Sequence, residues 1–420
     1  MASEDQRPDD AHGVPLVLAG TAVLALSGLI ILGWSARVLG PVDYAVFGVF
    51  WSAFSFVVAV LAGAQQESSR AVSIQRRSPL EGRSSLLLFG SLLAVFAGLV
   101  IIGSAVWWSP PTLGDEHLGL GVLVGVGAIG YSLTGVLAGA FAGAGRWRVY
   151  AAMIAVEGVA RAGAIAAVLV LSKDLGLLGW AVAAAYAIVL LVVALPRMAL
   201  IRPLLHVNDP VGVLIRNTVR TVAATAAVAA LVSGFPVLMS AFDGDADAAT
   251  VGALTLVVLL TRAPLILPLL ALQSLLVTAF ADPARDRRRL MVILVGGCAA
   301  VACVLAPIAG VIGTPVLRAV FGDEFALDGR VIALLVLSSG VLGAVMMTTP
   351  ALIATNRHTA NAAGSVAALV VAVVVLIVGP SDLELRAPLA LIIGPATGLA
   401  WHLVALTSVS AAGRHRRAGS

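Results

Sequence analysis

The chain has 420 residues, 60% of them apolar and 11% charged, with a net charge of +4 and a mean hydropathy of +1.04. That balance excludes a soluble globular protein, and it leaves a polytopic membrane protein with no nucleic-acid partner expected.

Runs of roughly 20 apolar residues, enough to cross the hydrocarbon as a helix, fall in order at about 14–36, 44–64, 84–107, 119–142, 150–172, 177–197, 219–241, 251–276, 290–314, 331–353, 360–379 and 388–409. Twelve continuous runs predict an all-α integral membrane protein, because barrel strands would be shorter and alternate in polarity. Residues 1–13 lack the positive n-region of a signal peptide, so the first run is expected to be a retained helix behind a cytoplasmic tail. Nineteen of the 26 Lys and Arg residues then fall in segments predicted to be inside and five outside. By the positive-inside rule both termini, including the tail 411–420, are expected to be cytoplasmic. Arg161 and Arg262 fall within spans.

The polar linker RPLLHVNDPVGVLIRN after the sixth span suggests two six-helix halves, 14–198 and 217–410, separated by 199–216. Both halves enter from the cytoplasm, the parity of parallel repeats. No loop is long enough to fold as a soluble domain or to supply the catalytic outer loop that a glycan polymerase or ligase would need, so no enzyme is expected.

In chain order, the first candidate is the loop beginning QQESSR, where Gln66 and Arg70 could guard a cytoplasmic mouth or act as a plain positive anchor. Gly135, Gly139 and Gly143 form a doubled GxxxG series that predicts close helix packing. Glu157 and Arg161, four apart in AVEGVARAGAI, share one helix face with the acid on the amino-terminal side. They read either as a structural ion pair or as part of a water-filled path, since ionisable groups in spans usually face a cavity. DGDAD, from Asp243 to Asp247, resembles a calcium loop only superficially, because Leu254 stands where the bidentate acid would be, and a DxD motif only superficially, because the loop is predicted outside, away from cytosolic nucleotide sugars. A solvated turn is expected. Arg262 in LLTRAPLILPLL cannot shed its proton to escape burial, so it needs water, carbonyls or an anionic ligand. Pro264 and Pro268 behind it could kink the helix. Cys298 and Cys303 read as small core residues, and the scattered histidines predict neither a metal site nor any cofactor.

Four stretches carry a resemblance. SARVLGPVDYAVFGVFWS is similar to the A-R-x-L-G-P-x-x-Y-G-x-F signature of polysaccharide flippases in the multidrug/oligosaccharidyl-lipid/polysaccharide exporter superfamily. AGAGRWRVYAAMIAVEGVAR, LLTRAPLILPLLALQSLL and LRAVFGDEFA resemble that family's fourth-to-fifth connection, eighth span and the loop before its tenth span. The chain departs from the pattern at Ala45, usually Gly, and in SGFPVLMSAF, where the family's seventh span often carries an Asn or Asp.

The resemblance implies two six-helix lobes around a central cationic cavity in the bacterial cytoplasmic membrane. Its substrate would be a lipid-linked oligosaccharide on a polyprenyl pyrophosphate, and its partners membrane lipids, a glycan polymerase or glycosyltransferases of the same pathway. Arg262, Arg161 and Glu157 would line the substrate path, Gln66 and Arg70 the cytoplasmic mouth, and Arg37 the outer mouth. A cation-coupled antiporter of drugs or small solutes is the alternative, though Glu157 is the one acid within the predicted spans.

Overall fold

The computed structural model of the chain describes residues 13–77, 84–281, 286–355 and 357–417, and of these only the backbone at 14, 224, 263–275, 277–278, 281 and 408–417. Arg7, Arg83 and Arg285 of the topology tally lie outside the described residues, as do the side chains of Pro264 and Pro268.

The protein is all-α and crosses the membrane many times. Its helices are α1 (Gly13–Arg77), α2 (Leu86–Leu113), α3 (Leu118–Gly143), α4 (Trp147–Leu171), α5 (Leu175–Val189), α6 (Val211–Val232), α7 (Phe235–Ala241), α8 (Ala248–Ala281), α9 (Arg287–Phe321), α10 (Gly329–Ala354), α11 (His358–Val378) and α12 (Leu383–Arg417). Each of the twelve predicted spans has a helical counterpart. Nine helices among the described residues are long and apolar enough to cross a bilayer. One of these is α1, which carries the first two spans and bends at Gly40 (φ 76°, ψ 171°), a conformation open to glycine, with Pro41 opening the second limb. The sixth span continues from α5 through a π turn and 3-10 turns to Leu200. The seventh is broken at Ser233 and Gly234, between α6 and α7.

The chain divides into two compact units. The first holds the chain up to Leu39 together with Val46–Val222, and the second Gly40–Ala45 with the chain from Ala223 onward. In the first, Phe89, Val136, Phe141 and Met153 belong to one buried apolar cluster. The GxxxG expectation holds at two of its three positions. A Cβ on Gly139 or Gly143 would fall 2.2 or 2.4 Å from the carbonyl oxygens of Gln65 and Ser69, so α3 lies backbone against the second limb of α1. Gly135 meets only Tyr131 of its own helix. The linker after the sixth span is tied down within this unit by a two-residue antiparallel pair of β1 (Ser84–Ser85) with β2 (His206–Val207).

In the second unit, Met346, Met347 and Phe280 share a core with Ala368 and Ala372. The Gly40–Ala45 segment packs here. Tyr44, fully buried, stands edge-on to Phe325 with ring centroids 5.9 Å apart. Two of the motifs that carried the resemblance therefore meet in space. Large apolar side chains such as Phe96 of α2 and Val311 of α9 remain exposed, as a hydrocarbon environment allows.

Candidate functional site

Arg161 and Glu157 sit one helical turn apart on α4, and Arg161 Nη2 donates to Glu157 Oε1 across 2.7 Å. Three aromatic rings surround the guanidinium. Its central carbon lies 5.8 Å from the ring centre of Trp51, 5.4 Å from Phe54 and 5.2 Å from Tyr186. Trp51 and Phe54 come from the second limb of α1 and Tyr186 from α5, so three spans converge on one charge. The group borders a cavity of about 220 Å³ inside the first unit. Arg161 is 7% exposed, and an arginine at that depth stays charged, so Glu157 offsets its desolvation. The pair does not use all the donors. The guanidinium also donates to the buried Tyr186 hydroxyl, in a looser hydrogen bond than the one to Glu157.

A polar chain extends beside this cavity. Tyr131 donates its hydroxyl to Gln65 Oε1 at 3.0 Å, and Gln65 Nε2 donates to the Tyr150 hydroxyl at 3.0 Å. The rings of Tyr131 and Tyr186 meet edge to face at 5.5 Å. Of the chain's four tyrosines, Tyr186 touches Arg161, Tyr131 packs on Tyr186, and Tyr150 joins Tyr131 through Gln65. Sequence reasoning passed over them, although a phenol inside an apolar span has to find a polar partner, which is a usable signal.

Arg262 lies in the second unit, 4% exposed. Its Nη1 donates to the Val232 carbonyl at 2.7 Å, and its guanidinium stands 5.4 Å from the Phe235 ring centre. These residues flank the break in the seventh span. Arg262 therefore caps the carbonyl end of α6 in the way that cations suit helix C-termini. Of the three partners the sequence left open, a carbonyl is the one found. Nη2, also buried, meets no acceptor among the described residues.

The structure does not gather the remaining candidates at the cavity. Arg70 pairs with Glu67 and, at 2.6 Å, with Asp209 of the linker, while Glu67 also accepts from Asn217 at 2.9 Å. This network fastens the linker to α1, so Arg70 is a structural cation as well as a candidate at the mouth. Gln66 beside it is exposed, and so is Arg37 near the Gly40 bend. The Asp243–Asp247 stretch turns between α7 and α8, where Arg386 donates to the carbonyls of Phe242 and Asp243. Partial burial pushes the Asp243 carboxyl up, while hydrogen bonds from Thr250 hold Asp247 below its usual range as it caps α8. Among the described residues there is no group of His, Cys, Asp and Glu that could hold a metal.

The fold is that of solved transporters. An inward-facing multidrug resistance MATE family transporter of the MOP superfamily superposes with a TM-score of 0.71 at 12% identity, over 94% of this chain and 99% of that one. The eukaryotic MATE transporter AtDTX14 gives 0.64 at 12% identity over 94% of each chain. A MOP superfamily transporter from Pyrococcus furiosus gives 0.58 at 14%, over 95% of this chain and 98% of that one. No protein-family model matches the chain. The molecule is thus a multi-pass helical membrane protein with the MATE transporter fold. In sequence it belongs to the family of the uncharacterized proteins Rv3630 and Rv1510 of Mycobacterium tuberculosis. They are 33% and 32% identical to it over 408 and 400 residues, 94% of this chain and 91% of each relative.

Proposed function

We propose that the chain is a MOP-superfamily transporter that moves a lipid-linked oligosaccharide, carried on a polyprenyl pyrophosphate, from the inner to the outer leaflet of the bacterial cytoplasmic membrane by alternating access. The observation that carries this reading is the Arg161 cavity. It presents a permanent cation, held by Glu157 and Tyr186, beside open space that an anionic group could enter. A phosphate oxygen in that space would accept charge-assisted hydrogen bonds from the guanidinium, which are stronger than neutral ones. In the second unit, Arg262 Nη2 is a buried donor without an acceptor among the described residues. Glu157 moderates the charge or carries a coupling proton. Both termini are cytoplasmic in this reading, and glycosyltransferases or a glycan polymerase act on the same substrate.

A second reading, a cation-coupled drug antiporter, has one observation in its favour. Glu157 and the rings of Trp51, Phe54 and Tyr186 have the composition of a cage for an organic cation. Arg161 already fills that cage with its own guanidinium, which favours the anionic substrate.

The test is export in cells lacking the native protein. Arg161→Gln, at matched protein level, is expected to accumulate lipid-linked precursor and lose surface glycan. Normal glycan with no precursor accumulation would refute the proposal.

A further inference from the structure

The second unit holds a titratable side chain that the function above does not use. His402 of α12 is fully buried, within a stretch long and apolar enough to cross the membrane. A histidine there is costly unless both ring nitrogens find partners, and both do. Nε2 lies 3.2 Å from the Asn361 carbonyl of α11, and Nδ1 lies 2.7 Å from the Thr348 hydroxyl of α10. The ring is wedged in place. Gly364 of α11 sits against its edge, where a Cβ would clash with it, and Gly398 and Gly394, one and two turns earlier on α12, press on the α11 backbone.

These partners fix the chemistry of the ring. A carbonyl only accepts, so Nε2 carries a hydrogen in either charge state and Nδ1 is the nitrogen left to titrate. The group facing Nδ1 is a hydroxyl, which can donate or accept. When the ring is neutral, the Thr348 hydroxyl donates to Nδ1. When Nδ1 is protonated, it donates to Thr348 Oγ1, and the hydroxyl turns to the Val345 carbonyl 2.6 Å away. One rotation about a single bond therefore takes the site from one fully hydrogen-bonded state to the other. A core histidine needs a partner for each nitrogen, but it does not need one that can reverse.

No carboxylate holds this ring in either state, since α10 and α11 contain no acid. The nearest charged group on the elements packed against it is Arg357, just before α11, whose Nη1 donates to the Ala405 carbonyl one turn beyond His402. His358 beside it is exposed, and Arg330, Glu384 and Arg386 stand at the opposite ends of α10 and α12. Oxygen dipoles are left to stabilise an added proton, and the site has acceptors to spare. The Asn361 side-chain oxygen, also buried, accepts from nothing among the described residues.

We infer that His402 is a proton-binding site of the second unit, with Thr348 as the hydroxyl that turns to accommodate the proton. The ligand is H⁺ alone, taken up and released at Nδ1, so no bond other than N–H forms or breaks. The site shares no residue with the Arg161–Glu157 pair and stands whatever substrate the chain moves. It gives the contact of α10, α11 and α12 a means of responding to pH.

The test is solid-state NMR of the full chain, labelled with ¹⁵N at histidine and reconstituted in phosphatidylcholine vesicles, between about pH 8 and about pH 5, the range in which histidines change charge. The His402 signals are assigned by their absence in His402→Gln. Nε2 is expected to be protonated throughout, and Nδ1 to pass reversibly from unprotonated to protonated within the range. Thr348→Ser keeps a rotating hydroxyl and is expected to titrate as the native chain does. Thr348→Val keeps the shape and removes the hydroxyl. Because a hydrogen bond to a charged ring is stronger than one to a neutral ring, its transition is expected at least about one pH unit lower, a tenfold loss of proton affinity. A His402 Nδ1 that stays unprotonated down to about pH 5 would overturn the inference and leave a core histidine. A transition in Thr348→Val at the native pH would overturn the turning hydroxyl and with it the site as described. The ring is read directly, so neither outcome depends on whether the chain exports glycan.

Discussion

Arg161 reaches Glu157 across 2.7 Å and lays its guanidinium 5.2 Å from the ring centre of Tyr186, so the charge is held from two sides by groups of the same unit. The cavity beside them bears on what single substitutions should do. Breaking a fully buried pair costs about 3–5 kcal/mol, but a cavity of about 220 Å³ has room for waters to solvate the charge left behind. Glu157→Gln and Arg161→Gln are therefore expected to fold with a loss under about 2 kcal/mol, and the double variant to fold and remain inactive. Folded yield and glycan export in all three variants check this. A double variant with restored yield and normal export would reduce the pair to a structural lock.

Arg262 is asked to do two things, to cap the Val232 carbonyl and to offer a free donor. Arg262→Lys keeps the charge and can keep the carbonyl bond but loses the fork, so export is expected to fall partly while yield holds. Arg262→Ala is expected to lose both, because it leaves the broken end of α6 uncapped. Unchanged export in Arg262→Ala at normal protein level would remove it from the path.

At Gly40 the backbone adopts φ 76° and ψ 171°, which a side chain tolerates at a cost of about 1–3 kcal/mol. Gly40→Ala should accordingly lower the melting temperature in detergent. Gly103→Ala, on a helix and with nothing within 4 Å, should leave it unchanged or raise it slightly. Equal effects of the two substitutions would mean that the bend does not depend on glycine.

Topology follows from the arginine distribution. A reporter fused after Arg77 or Arg288 is expected to be cytoplasmic, and one after Asp245 or Asp382 external. An external signal at Arg288 would overturn the span count from that point on.

Most of the predicted spans were legible because each is a continuous apolar run, although the helices of the seventh and the described part of α8 are not among the nine long and apolar enough to cross a bilayer. Glu157 and Arg161 were legible as a pair because they are four apart on one helix. Their surroundings were not, since Trp51, Phe54 and Tyr186 come from other spans and only the packing of the first unit brings them together. Arg70 shows the same limit. It looked like a cation at a mouth, but its partner Asp209 lies 139 residues away. The break at Ser233 and Gly234 was not legible, because the seventh span reads as one apolar run, and the Arg262 cap on the Val232 carbonyl comes from another span.

The most direct measurement is the affinity of the purified protein for a short, soluble polyprenyl pyrophosphate, compared between the native chain and Arg161→Gln. Loss of a charged hydrogen-bonding group costs about 1.5–3 kcal/mol, so the variant is expected to bind roughly ten- to a hundredfold more weakly, with Arg161→Lys in between. Equal affinities, or a native protein that binds an organic cation and ignores the pyrophosphate, would contradict the account.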